Sequence, residues 1–177
     1  MTLLAGADFR ALFHEFEHTA FRLETREQYY EREQLAQFLA GQQVDLSYMT
    51  SWLELMRRSR AQGKRIERVR VVSCPPSDYT RYGLWLAQYN SEAGEDIRYL
   101  PRDKAAALPD FDYWLLDSCR LYIVRFGEDD SLLGAEQVTD PAAIVQAAAW
   151  RDAAWHHAIP YRDFVKGIRV DRHTARS

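Results

Sequence analysis

The sequence predicts an α/β domain, with α+β as the alternative class: a mixed sheet of about five or six strands flanked by helices. Three observations predict it. A β-branched run at Arg65–Ser73 is typical of a strand. An aromatic segment with helical spacing follows it directly. Further along, three strand-like runs are separated by short polar turns, which predicts a C-terminal antiparallel meander.

The first part of the chain is predicted to be mostly helical. Apolar residues recur at helical spacing and predict an amphipathic first helix: Phe9, Leu12, Phe13, Phe16 and Ala20. A short edge strand is expected at 21–24. Two further helices are predicted at 31–40 and 47–62, and Gly41 and Gly63 are suitable residues to end them.

The central strand at Arg65–Ser73 should end before Pro75 and Pro76, because proline cannot continue a strand ladder. The next helix carries one apolar stripe: Tyr79, Tyr82, Trp85, Leu86 and Tyr89. Gly94 is a suitable end for this helix, and the run DIRYLP predicts a second strand.

The runs DYWLLD, RLYIVRF and SLLGAEQV predict the three strands of the meander. Asp140 is expected to cap the last helix, with Pro141 in its first turn and Pro160 near its end. We expect residues 1–167 to form a single globular domain and residues 168–177 a flexible basic tail.

Composition narrows the classes of function. The 177 residues, 47% of them apolar, are enough for one domain with its own core. A net charge of -3 indicates no general attraction to nucleic acid or membranes. The basic window Arg57–Arg70 is interpreted as a helix end followed by the solvated polar face of a strand, so direct nucleic-acid binding is not expected. Cys74 and Cys119 lack metal or redox spacing, which favours free thiols in a cytoplasmic protein. The sequence shows no export signal or membrane span.

Polar residues flank the tips of the two central strands and the helix between them: Ser73, Ser77, Asp78, Tyr79, Arg81, Asn90 and Glu95. Arg81, one turn into the helix, could bind an anion such as a phosphate or carboxylate together with backbone N–H groups. The alternative is a polar network that ties the helix to the sheet. Arg151 and His156 near the chain's end complete the candidate ligand-binding set, with Asp152 four residues before His156 and able to pair with it.

The segment HEFEH in the first helix matches the HExxH pattern of zinc hydrolases. Two histidines at i and i+4 of a helix, His14 and His18, could bind one zinc ion, with Glu15 as the general base. A catalytic zinc also needs a third protein ligand, which Glu24, Glu31 or Glu33 could supply in principle. A solvated helix face is the favoured interpretation, so no metal or cofactor is expected, with zinc as the alternative.

Longer segments of the chain resemble a family of small actinobacterial proteins of unknown function. The resemblance is carried by FEHTAFRLE, RVRVVSCPPSDYTRY, NSEAGEDIRYLPR, DYWLLDSCRLYIVRF and VTDPAAIVQAAAWRDAAWHHAIP. It implies an association with helix-turn-helix regulators, beside which members are often encoded. The order of elements is also similar to one half of a phospholipase D-like domain, but the chain lacks that domain's HxK motif.

The predicted function is therefore a non-catalytic ligand- or protein-binding accessory module of a transcriptional regulatory system. Its expected partner is a helix-turn-helix regulator or a small anionic ligand, and a homodimer is compatible with the sequence. One alternative is a zinc-dependent hydrolase that uses the HEFEH segment. The other is a phosphoryl- or acyl-transfer enzyme at the central strand tips, which would need a pocket that joins Arg81 to His156.

Overall fold

Eight strands and six helices make up the described part of the fold. The structure, a computed structural model, describes residues 2–174 and the side chains of residues 2–168. The strands are β1 Leu3–Leu4, β2 Thr19–Glu24, β3 Arg65–Val72, β4 Glu95–Pro101, β5 Tyr113–Leu116, β6 Arg120–Phe126, β7 Leu132–Val138 and β8 Ile159–Pro160. The helices are α1 Gly6–Glu15, α2 Arg32–Leu39, α3 Thr50–Ala61, α4 Asp78–Ala93, α5 Pro141–His157 and α6 Tyr161–Thr174.

All eight strands belong to one mixed sheet in the order β1-β7-β6-β5-β2-β3-β4-β8. Strands β2, β3 and β4 are parallel to one another, and the other neighbours are antiparallel. The predicted α/β class and the antiparallel meander, β5 to β7, are confirmed. Six of these strands have four or more residues, in agreement with the predicted five or six, and β1 and β8 add two-residue edges.

Strand β2 lies at the centre of the sheet, between β3 and β5, and the prediction of an edge strand at 21–24 is wrong. Every residue from Ala20 to Glu24 is buried. Phe21 and Leu23 pack on one face of the sheet, and Arg22 and Glu24 lie on the other. Both faces of β2 are therefore covered, although the strand contains two charged residues.

Helix α1 is shorter than the apolar stripe predicted. It ends at Glu15, and Phe16 has extended backbone angles, φ −71° and ψ 147°. Phe16 and Ala20 are fully buried as expected, but they belong to the following loop and to β2. The backbone N–H groups of residues 17, 18 and 19 donate to the Asp117 carboxylate at 2.7 to 3.2 Å, so they leave the helical pattern.

The later helices begin and end at the predicted signals. Ser77 accepts a hydrogen bond from the Thr80 N–H, and Gly94 ends α4 in the left-handed conformation. Asp140 caps α5 through the Ala142 N–H. Helix α5 ends at His157, before Pro160, and α6 then continues to Thr174, into the segment predicted as a flexible tail. Residues 175–177 of that tail lie outside the described residues.

The helices divide unevenly between the two faces of the sheet. Helices α1, α3, α4 and α6 pack on the face that carries Arg22 and Glu24, and α5 packs on the opposite face. Helix α2 lies outside α4 and contacts it through Phe38, next to Tyr82 and Trp85. A cavity lies between this four-helix face of the sheet and the helices that cover it.

Candidate functional site: a polar floor in an aromatic cavity

A cavity of about 720 Å³ lies between the four-helix face of the sheet and helices α1, α3 and α4. This volume is within the usual range of small-molecule sites. Its floor is formed by side chains from four neighbouring strands, β5, β2, β3 and β4: Arg22, Glu24, Arg68, Arg70, Ile97, Tyr99 and Trp114.

The sheet register explains why these side chains meet. Arg68 pairs with Arg22 on one side and with Ile97 on the other, and Arg70 likewise lies between Glu24 and Tyr99. Residues opposite one another in a sheet point to the same face, and alternate residues along a strand do so too. The floor therefore combines charged groups from adjacent strands in a buried layer.

Glu24 is the central acceptor of this layer. Its Oε1 lies 2.9 Å from Arg68 Nη1 and 3.2 Å from Arg22 Nε, and its Oε2 lies 3.3 Å from Arg70 Nε. Burial by itself would raise the pKa of Glu24, but the three arginines lower this pKa to about 2. The carboxylate is therefore charged at neutral pH, although it is buried.

Two more carboxylates complete the charge balance. Glu95 accepts from Arg68 Nε at 2.7 Å. Asp112 accepts from Arg22 Nη2 at 3.0 Å and from the Tyr29 hydroxyl at 2.7 Å. Three arginines thus face three buried carboxylates, so that Arg22 and Arg68 have carboxylate partners for their hydrogen bonds.

Arg70 differs from the other two arginines because its contact with the floor carboxylates is an ion pair with Glu24 and not a hydrogen bond. It has an ion-pair contact with Glu24 through Nε at 3.3 Å, and its side chain lines the cavity, where it is 11% exposed. Its guanidinium carbon lies 5.2 Å from the ring centres of both Tyr29 and Tyr79, which favours the cation. Burial disfavours the charged form, yet Glu24 beside it keeps the pKa of Arg70 well above its usual value.

Gly83 on α4 gives this guanidinium its space. A Cβ atom at Gly83 would lie 2.5 Å from Arg70 Nη1, which is closer than real contacts allow. Tyr79, one turn earlier on the same helix, donates its hydroxyl hydrogen to Glu31. Arg70 belongs to β3, and its guanidinium packs against Gly83 and Tyr79 of α4.

Four buried atoms of cavity-lining residues have no hydrogen-bond partner among the described residues: Arg22 Nε, Glu24 Oε2, Asn90 Oδ1 and Trp114 Nε1. Asn90 is 8% exposed and its Oδ1 makes no hydrogen bond. Trp114 is 3% exposed and its indole N–H also makes none. Buried polar groups are nearly always paired, so Asn90 Oδ1 and the Trp114 N–H are candidate contacts for a molecule in the cavity.

The mouth of the cavity is apolar. Four of the large apolar side chains that are most exposed among the described residues line it: Tyr30, Tyr48, Leu132 and Leu133. The walls between mouth and floor are aromatic, with the ring of Phe13 4.6 Å from Trp114 and 5.2 Å from Trp52. The cavity is therefore apolar at its mouth and walls and charged at its floor.

A family model described as a domain of unknown function, DUF6879, matches residues 7–166. This chain belongs to the DUF6879 family. The match covers most of the 177 residues and includes every floor side chain named above. No curated protein matches the chain. None of the helices in the described part of the DUF6879 domain is long and apolar enough to cross a bilayer.

Three predicted ligand-binding residues lie at or beside the cavity of this DUF6879 domain. Tyr79 and Asn90 line it, and Glu95 is bonded to Arg68 directly behind the floor. They come from the segment where the sequence places a ligand site.

The other predicted residues do not join them. Ser77 caps α4, Ser73 donates to Glu27, and Arg81 pairs with Asp78 on the helix surface. Arg151 lies on α5, which packs on the opposite face of the sheet, and contacts Asp152 and Ser118. The ring of His156 makes an edge-to-face contact with the ring of His157. Asp152 forms its ion pair with Arg151 and not with His156.

The HEFEH segment does not have the geometry that was predicted for it. His14 lies in the last turn of α1, whereas His18 lies in the loop held by Asp117 and is 80% exposed. The two histidines therefore do not share a helical face. No group of three or more His, Cys, Asp or Glu residues in the described part of the DUF6879 domain could hold a metal ion.

Sequence reasoning missed the charged floor itself. Arg68 and Arg70 were interpreted as part of a solvated strand face, and this is wrong because both are buried among carboxylates from other elements. The signal that could have revealed them is the repeated spacing of two: Arg22 and Glu24 in one strand and Arg68 and Arg70 in another, each between residues of apolar runs.

Proposed function

We propose that this DUF6879 domain is a non-catalytic binding module that takes a small anionic ligand into its central cavity. We further propose that it acts as an accessory component of a transcriptional regulatory system. The observation that carries the ligand site is Arg70, a cation that lines the cavity with its side chain 11% exposed and has an ion-pair contact with Glu24 through Nε alone. An anionic ligand would supply acceptors for its Nη groups.

The catalytic alternatives have weaker support. A zinc hydrolase needs His14 and His18 on one helical face, and α1 ends between them. A transfer enzyme at the strand tips needs Arg81 and His156 in one pocket, and neither residue lines the cavity. A binding role needs only the cavity and its free polar groups.

The cavity can be tested with 8-anilinonaphthalene-1-sulfonate, an aromatic anion whose fluorescence rises in apolar sites. Ser51 is an exposed residue of α3 that lines the cavity, so Ser51→Trp should block entry without disturbing the core. We expect saturable one-site binding to the wild type and at least tenfold weaker binding to the variant.

The matched control is Glu92→Trp, at an exposed position of α4 that does not line the cavity. This variant should bind like the wild type, and urea unfolding should show equal stability for both. Equal binding by Ser51→Trp and the wild type would rule out the cavity as the ligand site.

The regulatory role is tested in the host organism by comparing transcripts of a deletion strain complemented with the wild type or with Arg70→Met. If ligand binding controls the role, Arg70→Met should leave the same transcripts altered as the deletion does. Unchanged transcripts in the deletion strain would exclude a regulatory role.

A further inference from the structure

We propose that the ligand is an elongated aromatic monocarboxylic acid about two rings long, with a polar substituent at the end far from the carboxylate. This inference rests on the proposed ligand site and specifies its chemistry. Arg70 binds the carboxylate, the aromatic walls hold the rings, and Trp114 and Asn90 bind the distal substituent.

The charge of the floor selects a single carboxylate. Arg22 and Arg68 already donate to Asp112, Glu24 and Glu95, whereas Arg70 lines the cavity and contacts the floor carboxylates only by its ion pair with Glu24. A planar carboxylate can accept two parallel N–H bonds from one guanidinium. A phosphate dianion, in contrast, would face three buried carboxylates with only one such arginine, and the repulsion would be costly.

The walls select flat rings. The rings of Phe13, Trp52 and Trp114 form edge-to-face contacts at 4.6 to 5.9 Å, and those of Tyr29 and Tyr79 lie beside Arg70. Aromatic side chains bind flat rings by stacked or edge-to-face contact, with a preference that an aliphatic chain does not share. The apolar mouth leaves room for the edge of such a ring system.

The separation of the free polar groups sets the length. Arg70 is on β3 and Trp114 on β5, with β2 between them. Neighbouring strands are 4.7–4.9 Å apart, so the two strands are separated by roughly 10 Å. Two fused or linked rings with a carboxylate match this spacing of the strands better than a single ring does.

The nature of the unpartnered groups defines the distal substituent. The Trp114 indole can only donate a hydrogen bond, so the ligand must offer an acceptor there. The Asn90 Oδ1 also makes no hydrogen bond to the described residues and can only accept, so the ligand must offer a donor there. A hydroxyl group, which is both acceptor and donor, satisfies both residues.

The test is a 1H–15N NMR titration with 6-hydroxy-2-naphthoate, with 6-hydroxy-2-naphthamide and octanoate as matched compounds. The chain has five tryptophans, and Trp114→Phe assigns the indole signal of Trp114. We expect the naphthoate to shift this signal and to bind at least tenfold more tightly than the amide, which lacks the charge, and than octanoate, which lacks the rings.

Gly83→Ala is the variant that separates binding from folding. Its Cβ would displace the flexible end of Arg70 without touching the backbone, so stability should be preserved. Naphthoate binding should weaken at least tenfold, whereas Gly167→Ala, in open space on α6, should bind like the wild type. Arg70→Met should remove the preference for the acid over the amide. If Arg70→Met does not fold, the loss of naphthoate binding in Gly83→Ala tests the role of Arg70 instead.

Equal affinity for naphthoate and its amide, equal affinity for octanoate, or undiminished binding by Gly83→Ala would each overturn the proposal. Binding of inorganic phosphate alone at Arg70 would overturn it as well. If the naphthoate fails to bind while anilinonaphthalene sulfonate still enters the cavity, only the ligand class is wrong. If neither compound binds, the ligand site under "Proposed function" is wrong as well.

Discussion

Glu24 controls the charge balance of the cavity floor at the scale of single residues. It is the acidic group shared by Arg22, Arg68 and Arg70, and its side chain is 6% exposed. An isolated buried carboxylate would take up a proton, but these three cations keep it ionised. Acid should therefore destabilise the protein through this residue.

The pH dependence of stability is the first prediction. The pKa of Glu24 is about 2 in the folded protein and near 4.5 otherwise, so its contribution is present above pH 4.5 and is lost as the pH falls towards 2. The contribution is about 3 kcal/mol at 1.36 kcal/mol per unit. Urea unfolding of the wild type between pH 5 and 2.5 should show this loss.

Glu24→Gln should be less stable at pH 7, and its stability should fall less steeply with acid. Glu92→Gln, at an exposed position of α4, should follow the wild type. An equally steep loss in Glu24→Gln and the wild type would show that Glu24 is not the titrating group.

Asp112 gives the second prediction. It accepts hydrogen bonds from Arg22, from the Tyr29 hydroxyl and from both the backbone and the hydroxyl of Thr25, and its side chain is fully buried. Asp112→Asn leaves the buried cation of Arg22 short of one partner and should cost about 3–5 kcal/mol of unfolding free energy.

The control for this change is Asp110→Asn, two residues earlier at an exposed position, which should change the unfolding free energy by less than about 0.5 kcal/mol. Chemical denaturation of both variants provides the measurement. A cost at Asp112 as small as that at Asp110 would mean that Asp112 is not essential to the buried ion pairs.

At the scale of elements, α4 connects the fold to the site. Ser77 fixes its beginning and Gly94 its end, and between them Tyr79, Gly83 and Asn90 face the cavity. Local hydrogen bonds fix both ends of α4, and the three cavity residues therefore keep their positions relative to the sheet. A change in the cap at Gly94 should therefore affect stability in a predictable way.

The third prediction compares two glycine substitutions. Gly94 has φ 114°, and a Cβ there would lie 2.6 Å from Arg60 Cδ, so Gly94→Ala should lower the unfolding free energy by about 1–2 kcal/mol. Gly167 lies in α6 with open space around it, and Gly167→Ala should raise stability by about 0.5–1 kcal/mol. Thermal unfolding should give shifts of opposite sign, and shifts of the same sign would contradict the assigned conformations.

At the scale of the whole molecule, β2 separates two cores. The apolar clusters on the two faces of the sheet both include residues of this strand, Ala20 on one side and Phe21 and Leu23 on the other. Helix α2 is at the other extreme, since none of its residues is buried. Stability should therefore be unevenly distributed over the chain.

Hydrogen exchange measured by mass spectrometry provides the fourth prediction. Peptides from β2, β3 and β5 should exchange most slowly, because opening them disrupts both cores. Peptides from α2 should exchange at least a hundredfold faster. Protection of α2 equal to that of β2 would show that α2 opens only with the whole molecule.

The sequence predicted those features that depend on neighbours in the chain. Ser77, Gly94 and Asp140 mark helix ends through local hydrogen bonds, and the structure places the ends there. The α/β class and the meander were predictable from apolar spacing for the same reason.

Features that depend on distant residues were not predictable in this way. The end of α1 is determined by Asp117, about a hundred residues away in the chain. The burial of Arg68 and Arg70 depends on Glu24 and Glu95 in the strands on either side. Only Tyr79, Asn90 and Glu95 of the predicted site were found at or next to the cavity, because their segment forms its wall.

The two shortest strands determine how the sheet meets other molecules. Strand β1 covers β7 over two residues, and β8 covers β4 over two residues that include Pro160, which has no N–H group. Each outermost strand thus offers only two residues of backbone to a second sheet. Leu132 and Leu133 at the start of β7 are exposed and have no partner in β1, so a second sheet that adds to this domain should add there.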